Sequence, residues 1–195
     1  MEDGTGGGWV ISPRPPCLRQ TRVMATPADI DRLVASAAIE QVVYRYCRGV
    51  DRLDRELVES CYWPEATDSH GSFEGSRDEY VAWLFDRVLP RYEWSFHFVG
   101  NVLVEIGDGG SVARCETYGI SRHRRLTDRP QDSLTTGFRY VDDFQRRRGE
   151  WRIARRVAVL EWSRVEDPAG WWEAPPTHLR GRRDRSDPVY APLTP

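Results

Sequence analysis

Trp94-Ser95-Phe96-His97-Phe98-Val99-Gly100-Asn101-Val102-Leu103-Val104-Glu105-Ile106 is the stretch that decides the fold. It is rich in aromatic and β-branched residues, alternates with a period of two, and runs into Gly107-Asp108-Gly109-Gly110, a hairpin turn. Three more runs of this kind follow, at about 111 to 124, 133 to 146 and 150 to 163, the last two joined by Arg147-Arg148-Gly149. A short extra strand is expected at 66 to 70.

Upstream of Pro90 the spacing becomes helical. Thr26-Pro27-Ala28-Asp29 provides an N-cap, a proline at the first helical position and an acid in the first turn. Ile30, Leu33, Val34, Ala37, Ile39, Val42, Val43, Tyr46 and Val50 then recur at helical intervals, giving an apolar face that must cover something. Gly49 fits a fraying end. Asp54 to Cys61 reads as a second helix, and Ser76-Arg77-Asp78-Glu79 is a capping box that opens a third, stopped by Pro90. Helices followed by a meander of long strands describe an α+β domain, its helices packed on one face of a curved, mainly antiparallel sheet.

The domain is expected over 26–164. Residues 1–25, with Gly6-Gly7-Gly8 and Pro13-Arg14-Pro15-Pro16, have a composition that buries no core and read as a disordered extension, with Met24 an alternative start. Residues 165–195 read as an extended tail, with Trp171-Trp172 placed to cover an interface or a pocket.

Composition excludes several classes of function. Basic and acidic residues number 28 and 30, so no positive field gathers nucleic acid or anionic lipid. Every basic residue is arginine; without lysine there is no Schiff-base chemistry and no phosphate-loop lysine. Cys17, Cys47, Cys61 and Cys115 are scattered, which points to neither a disulfide framework nor a zinc site. No run approaches the roughly 18 apolar residues of a membrane helix, and the N-terminus lacks an apolar signal core. The expected location is the cytoplasm, with no cofactor and no metal.

The candidate chemistry lies in Asp51 and His97. A carboxylate that orients an imidazole is the smallest apparatus for moving a proton in a dry pocket, because it fixes the tautomer and stabilises the imidazolium. Strand alternation puts His97, Val99, Asn101 and Leu103 on one face, with Phe96, Phe98, Val102 and Val104 on the other. Asp51 ends a helix, where the dipole disfavours a carboxylate, so a compensating partner is expected. Tyr46 lies about 140° around an ideal helix from Asp51 and Tyr44 is angularly closer; spacing does not choose between them. His70 sits beside the short strand, His123 at a charged strand end. Arg156 alternates with Ala154, Ala158, Leu160 and Trp162, pointing to an apolar face where a guanidinium needs an anionic partner or ligand.

The chain resembles the SnoaL-like branch of the nuclear transport factor two superfamily over about residues 27 to 163. The resemblance rests on Tyr46-Cys47-Arg48-Gly49-Val50-Asp51, on Trp63-Pro64-Glu65-Ala66 followed by Asp68-Ser69-His70-Gly71-Ser72-Phe73-Glu74-Gly75, on His97-Phe98-Val99-Gly100-Asn101, and on Gly149-Glu150-Trp151-Arg152-Ile153. It implies a cone of three N-terminal helices packed on a strongly curved sheet, a cystatin-like α+β barrel with a deep pocket. It is similar in pattern to scytalone dehydratases, bile-acid 7-alpha-dehydratases and hexachlorocyclohexane dehydrochlorinases. That implies a histidine-aspartate dyad of His97 and Asp51 assisted by Tyr46, with His70, His123, Arg156 and Asn101 on the substrate. Both dehydratase types carry a tyrosine where this chain has His70. The implied activity is a cofactor-independent lyase or isomerase acting on a hydrophobic cyclic molecule of polyketide, steroid or terpenoid type, in a homodimer or homotrimer. The alternatives are a non-catalytic ligand-binding or assembly module, and a metal site built from Asp51, His97 and His123.

Overall fold

A computed structural model describes residues 24–126, 133–167 and 174–193. Helix α1 (Pro27–Asp51) opens on Thr26, whose hydroxyl accepts the Asp29 amide while the Asp29 carboxylate accepts the Thr26 amide, a reciprocal box that satisfies two otherwise orphaned donors. Its apolar face is buried only from Ala35 onward; Ile30, Leu33 and Val34 are exposed. Helix α2 (Arg55–Ser60) is capped by the Asp54 carboxylate.

Strand β1 (Tyr62–His70) begins earlier than the sequence predicts and includes Trp63-Pro64, where its pairing with the last strand of the chain is irregular. It pairs with β2 (Phe73–Ser76) across a turn in which Gly71 takes φ 65°. Helix α3 (Arg77–Trp83) starts from the expected Ser76–Glu79 box, widens into a π-helical turn over Leu84–Val88, and ends in a 3-10 turn that contains Pro90. The four long strands follow as β3 (Tyr92–Ile106), β4 (Val112–Arg125), β5 (Ser133–Arg147) and β6 (Glu150–Glu166).

The sheet order is β2-β1-β6-β5-β4-β3. Every pairing is antiparallel except β1 with β6, which is parallel and makes the sheet mixed. Not all helices precede the strands: α3 follows the β1–β2 hairpin, which corrects the expected order of helices first and sheet second. The core lies between α1, α3 and the concave face of the sheet, around Ile39, Val43, Val58, Tyr62, Tyr80, Phe144 and Ile153. No helix among the described residues is long and apolar enough to cross a membrane.

Two local features set the position of the site. Gly49 is buried and close-packed, which corrects its reading as part of a fraying end: a Cβ there would lie 2.7 Å from Val58 Cγ2 and 3.2 Å from the Asp54 carbonyl oxygen. The chain folds α2 back against this gap. Gly49→Ala is therefore expected to cost about 1–3 kcal/mol through overpacking, read as a fall in thermal midpoint. In β3, Val99 pairs with Gly119 but Val102 with Thr117, so one extra residue is accommodated near Gly100 and Asn101. This bulge reverses the side-chain alternation beyond it.

The described part of the tail packs on its own domain. Tyr190 donates to Asp54 Oδ2 at 2.9 Å, Arg52 pairs with Asp187 at 3.4 Å, and Arg183 donates to the Tyr92 carbonyl. Trp171 and Trp172 lie outside the described residues.

Candidate active site

Asp51 is the last residue of α1 and is buried, 7% exposed. One oxygen accepts the main-chain amide of His97 at 2.8 Å; the other meets His97 Nδ1 at 2.6 Å. Two donors from β3 thus offset the unfavourable helix terminus, and they fix both the position and the plane of the imidazole. With Nδ1 held as the donor, Nε2 is left as the nitrogen with an open lone pair.

His97 borders a cavity of about 250 Å³ between the helices and the concave sheet face. Its walls are aromatic and aliphatic: Tyr46 of α1, Tyr80 and Trp83 of α3, Tyr92, Phe138 and Tyr140 from the strands, with Leu84, Val88 and Leu89 at one side. The polar groups on this lining are His70, His97, His123, Ser121, Thr136 and the tyrosine hydroxyls. An apolar cavity with a few convergent polar groups is the common form of a small-molecule site.

Tyr46 borders the cavity while Tyr44 is 39% exposed, which decides between the two. The Tyr46 hydroxyl makes a short hydrogen bond to that of Tyr80. Burial pushes both phenols well above the ordinary tyrosine value, so they act as neutral donors.

His123 is not at the surface. Its Nδ1 lies 3.1 Å from Ser95 Oγ and its Nε2 3.2 Å from Ser121 Oγ, and its ring stands edge-on to His97 with centroids 5.4 Å apart. Burial, and then the neighbouring His97, push its pKa down from 6.5 to about 3, so it is neutral at ordinary pH. A folded-state value below the unfolded one means that the unfolded chain takes the proton first. This contribution to stability is complete above about pH 6.5 and is lost as pH falls toward 3. Urea unfolding is expected to show about 2 kcal/mol lost between about pH 7 and about pH 5, and His123→Gln should remove most of that slope.

Two expected ligand contacts are corrected. Arg156 is fully covered, with Nε and Nη2 each 2.7 Å from the Asp142 carboxylate and its guanidinium between the rings of Tyr46 and Tyr140, 4.2 and 4.0 Å from their centroids. Its anionic partner is internal, so it supports the cavity wall from behind and does not border the cavity. Asn101 lies beyond the β3 bulge, which turns it to the outer sheet face. There it borders a shallow depression with Phe98, Tyr118, Ile120 and Trp162, while Val102, Val104 and Ile106 turn inward. The assignment of Leu103 to the inner face fails for the same reason, and Leu103 is 58% exposed.

Tyr80, Tyr140, Ser121 and Asp68 were not singled out in the sequence. Tyr140 lies on the same face of its strand as Phe138 and Asp142, a signal that alternation carries; Tyr80 had only its place on a short amphipathic helix. Asp51, His97 and His123 do not form a metal cage, since no cluster of three potential ligands occurs among the described residues.

The family profile described as a SnoaL-like domain matches residues 31–157. An uncharacterized protein of Mycobacterium tuberculosis is 29% identical over 145 residues, covering 72% of this chain and 93% of that one. Hexachlorocyclohexane dehydrochlorinase 1 of Sphingobium indicum is 25% identical over 158 residues, covering 78% and 97%. Among solved structures, a hexachlorocyclohexane dehydrochlorinase superposes with a TM-score of 0.66 at 22% identity, covering 77% of this chain and 99% of that one. A scytalone-dehydratase-like protein of Novosphingobium aromaticivorans gives 0.62 at 20% identity, covering 74% and 99%. The chain belongs to the SnoaL-like family of the nuclear transport factor two superfamily.

Proposed function

We propose that this protein is a cofactor-independent lyase that eliminates water or a similar small leaving group from a hydrophobic cyclic molecule, with His97 as the base and Asp51 as the group that holds it. The observation that carries the reading is the double contact of Asp51 with His97 at the edge of an aromatic cavity. Nε2 takes a proton from a carbon made acidic by a neighbouring carbonyl or ring. The electron pair of the broken C–H bond becomes the new double bond, and the leaving group departs with the electrons of its own bond. The imidazolium that forms lies against the Asp51 carboxylate, which lowers the barrier to its formation. The Tyr46–Tyr80 hydroxyls are neutral donors on the same lining, suited to developing negative charge on the substrate oxygen.

The dehydrochlorinase relative supports elimination as the reaction class, and lyase-type activity occurs in the family. The cavity's size and aromatic walls support a ring system of a few fused or linked rings, of the polyketide, steroid or terpenoid kind. Exposed Phe98, Tyr118, Ile120 and Trp162 on the outer sheet face support a homodimer or homotrimer. The test is a mass-spectrometric screen of hydroxylated cyclic ketones for loss of one water, with deuterium exchange at the acidic carbon as a second readout. Exchange and water loss that both require His97 uphold the reading. Compounds that bind without either reaction turn the assignment to a ligand-binding module.

A further inference from the structure

His97 is not the only histidine on this cavity backed by a carboxylate. Asp68, on β1, is 1% exposed; its Oδ2 accepts the Tyr62 hydroxyl at 2.8 Å, and its Oδ1 has no hydrogen-bond partner. The nearest ionisable nitrogen is Nδ1 of His70, two residues on and 3.4 Å from that oxygen. His70 borders the cavity, with its ring stacked on Tyr80, 5.4 Å between centroids, and its Nδ1 also 3.3 Å from the Tyr80 hydroxyl. His97 stands on β3 and His70 on β1, strands separated in the sheet by β6, β5 and β4, so the two histidines reach one cavity from different ends of a curled sheet.

The charges of the buried network leave one negative charge unmatched. Arg156 and Asp142 cancel each other, and Arg156 reaches toward Asp68 only through the Tyr62 hydroxyl, at 3.3 Å. The other titratable groups around Asp68 are Tyr46, Tyr62, Tyr80 and Tyr140, all held neutral by burial. A covered carboxylate with one unpartnered oxygen and no cation of its own is costly. A proton on His70 supplies both the charge and the donor.

We infer that His70 and Asp68 form a second proton-carrying pair, in which His70 as imidazolium is the acid that protonates the leaving oxygen while His97 collects the proton from carbon. The inference rests on the lyase reading above. As the C–O bond breaks, its electron pair goes to oxygen and the His70 Nε2 proton joins it, so that hydroxide leaves as water. His70 is then neutral and His97 charged; His97 releases its proton to solvent and His70 takes one up, and the cycle closes with no net change.

Hydroxide needs this proton and chloride does not, which separates the two roles. The experiment compares two substrates with the same acidic C–H, one losing hydroxide and one losing chloride, in the full chain and its variants. His70→Gln is expected to slow water loss by about 100-fold or more, within the range for a general acid, and to change chloride loss only a few-fold. His97→Ala should slow both by about 10³-fold. Equal loss on both substrates with His70→Gln, or no loss on either, overturns the role of His70 as acid while leaving His97 intact. Elimination at an undiminished rate in His97→Ala overturns the lyase reading itself.

A second measurement does not depend on turnover. Nitrogen-15 spectra of the histidine-labelled protein near pH 7 are expected to show both ring nitrogens of His70 protonated, and one only in Asp68→Asn. A neutral His70 ring in the unmodified protein overturns the inference whatever the substrates do.

Discussion

His97→Ala is expected to lower kcat/KM for the elimination by about 10³-fold, within the range for a positioned general base, with the fold kept. The side chain ties Asp51 at the end of α1 to β3, but Asp51 keeps the main-chain amide of residue 97 as a donor. Asp51→Asn is the more informative change. The amide occupies the same volume, but one of its two polar atoms must now turn an NH₂ either toward the His97 main-chain N–H or toward Nδ1. In the first case two donors face each other; in the second the imidazole is pushed to the tautomer that presents N–H, not a lone pair, to the cavity. The first keeps the tautomer at the cost of that repulsion, the second loses the base, and in both the imidazolium has no counter-charge. A fall of about 10²-fold or more in kcat, with ligand affinity changed much less, is the expected pattern. Initial rates with binding measured separately by calorimetry provide the check; equal loss of binding and rate would make the pair a binding device.

The second large effect concerns stability. Asp142→Ala leaves the Arg156 guanidinium fully covered between two aromatic rings with no anionic partner, and is expected to cost about 3–5 kcal/mol. For a domain of this length that lowers the melting midpoint by roughly 10 °C. Burial pushes the Asp142 carboxyl up from its ordinary value and the guanidinium opposes that; the paired 2.7 Å contacts are those of an ion pair. Replacing both partners together, Asp142→Leu with Arg156→Met, removes the buried charges in one step and should recover most of the stability, because an apolar pair of similar volume avoids the desolvation penalty. Calorimetric melting of the single and double variants tests this. A double variant as unstable as the single one would show that the two rings of Tyr46 and Tyr140 need the guanidinium plane itself.

Much of this geometry is legible in the residues. The helix starts at Thr26 and Ser76 follow from capping chemistry, and the four long strands follow from period-two alternation bounded by Gly-rich turns. These signals are local, so one sequence carries them. The β1–β6 pairing is not local: β1 begins at Tyr62, Pro64 disguises it, and its partner lies far along the chain. The Asp51–His97 contact was legible as chemistry, a helix-end carboxylate that needs a donor and a histidine in an apolar run that needs an acceptor. Asn101 and Arg156 show where such reasoning stops. Alternation fails at a bulge, which inserts a residue without leaving a compositional mark, and a guanidinium on an apolar face reads the same whether its anion is a ligand or, as here, Asp142.

The extra residue in β3 lets one strand serve two masters. From Ser95 to Val99 its odd-numbered side chains face inward and present His97; beyond Asn101 the even-numbered Val102, Val104 and Ile106 do so and close the far end of the domain. A chain shortened by one residue at Gly100 or Asn101 would have to choose. With the histidine kept in place, three apolar side chains would be turned out to water and Leu103 and Glu105 into the interior; with the far end kept, His97 would swing to the outside and leave Asp51 without its partner. Deletions at this point are therefore all-or-none, whereas substitutions there are tolerated, since a Cβ at Gly100 meets nothing within 4 Å.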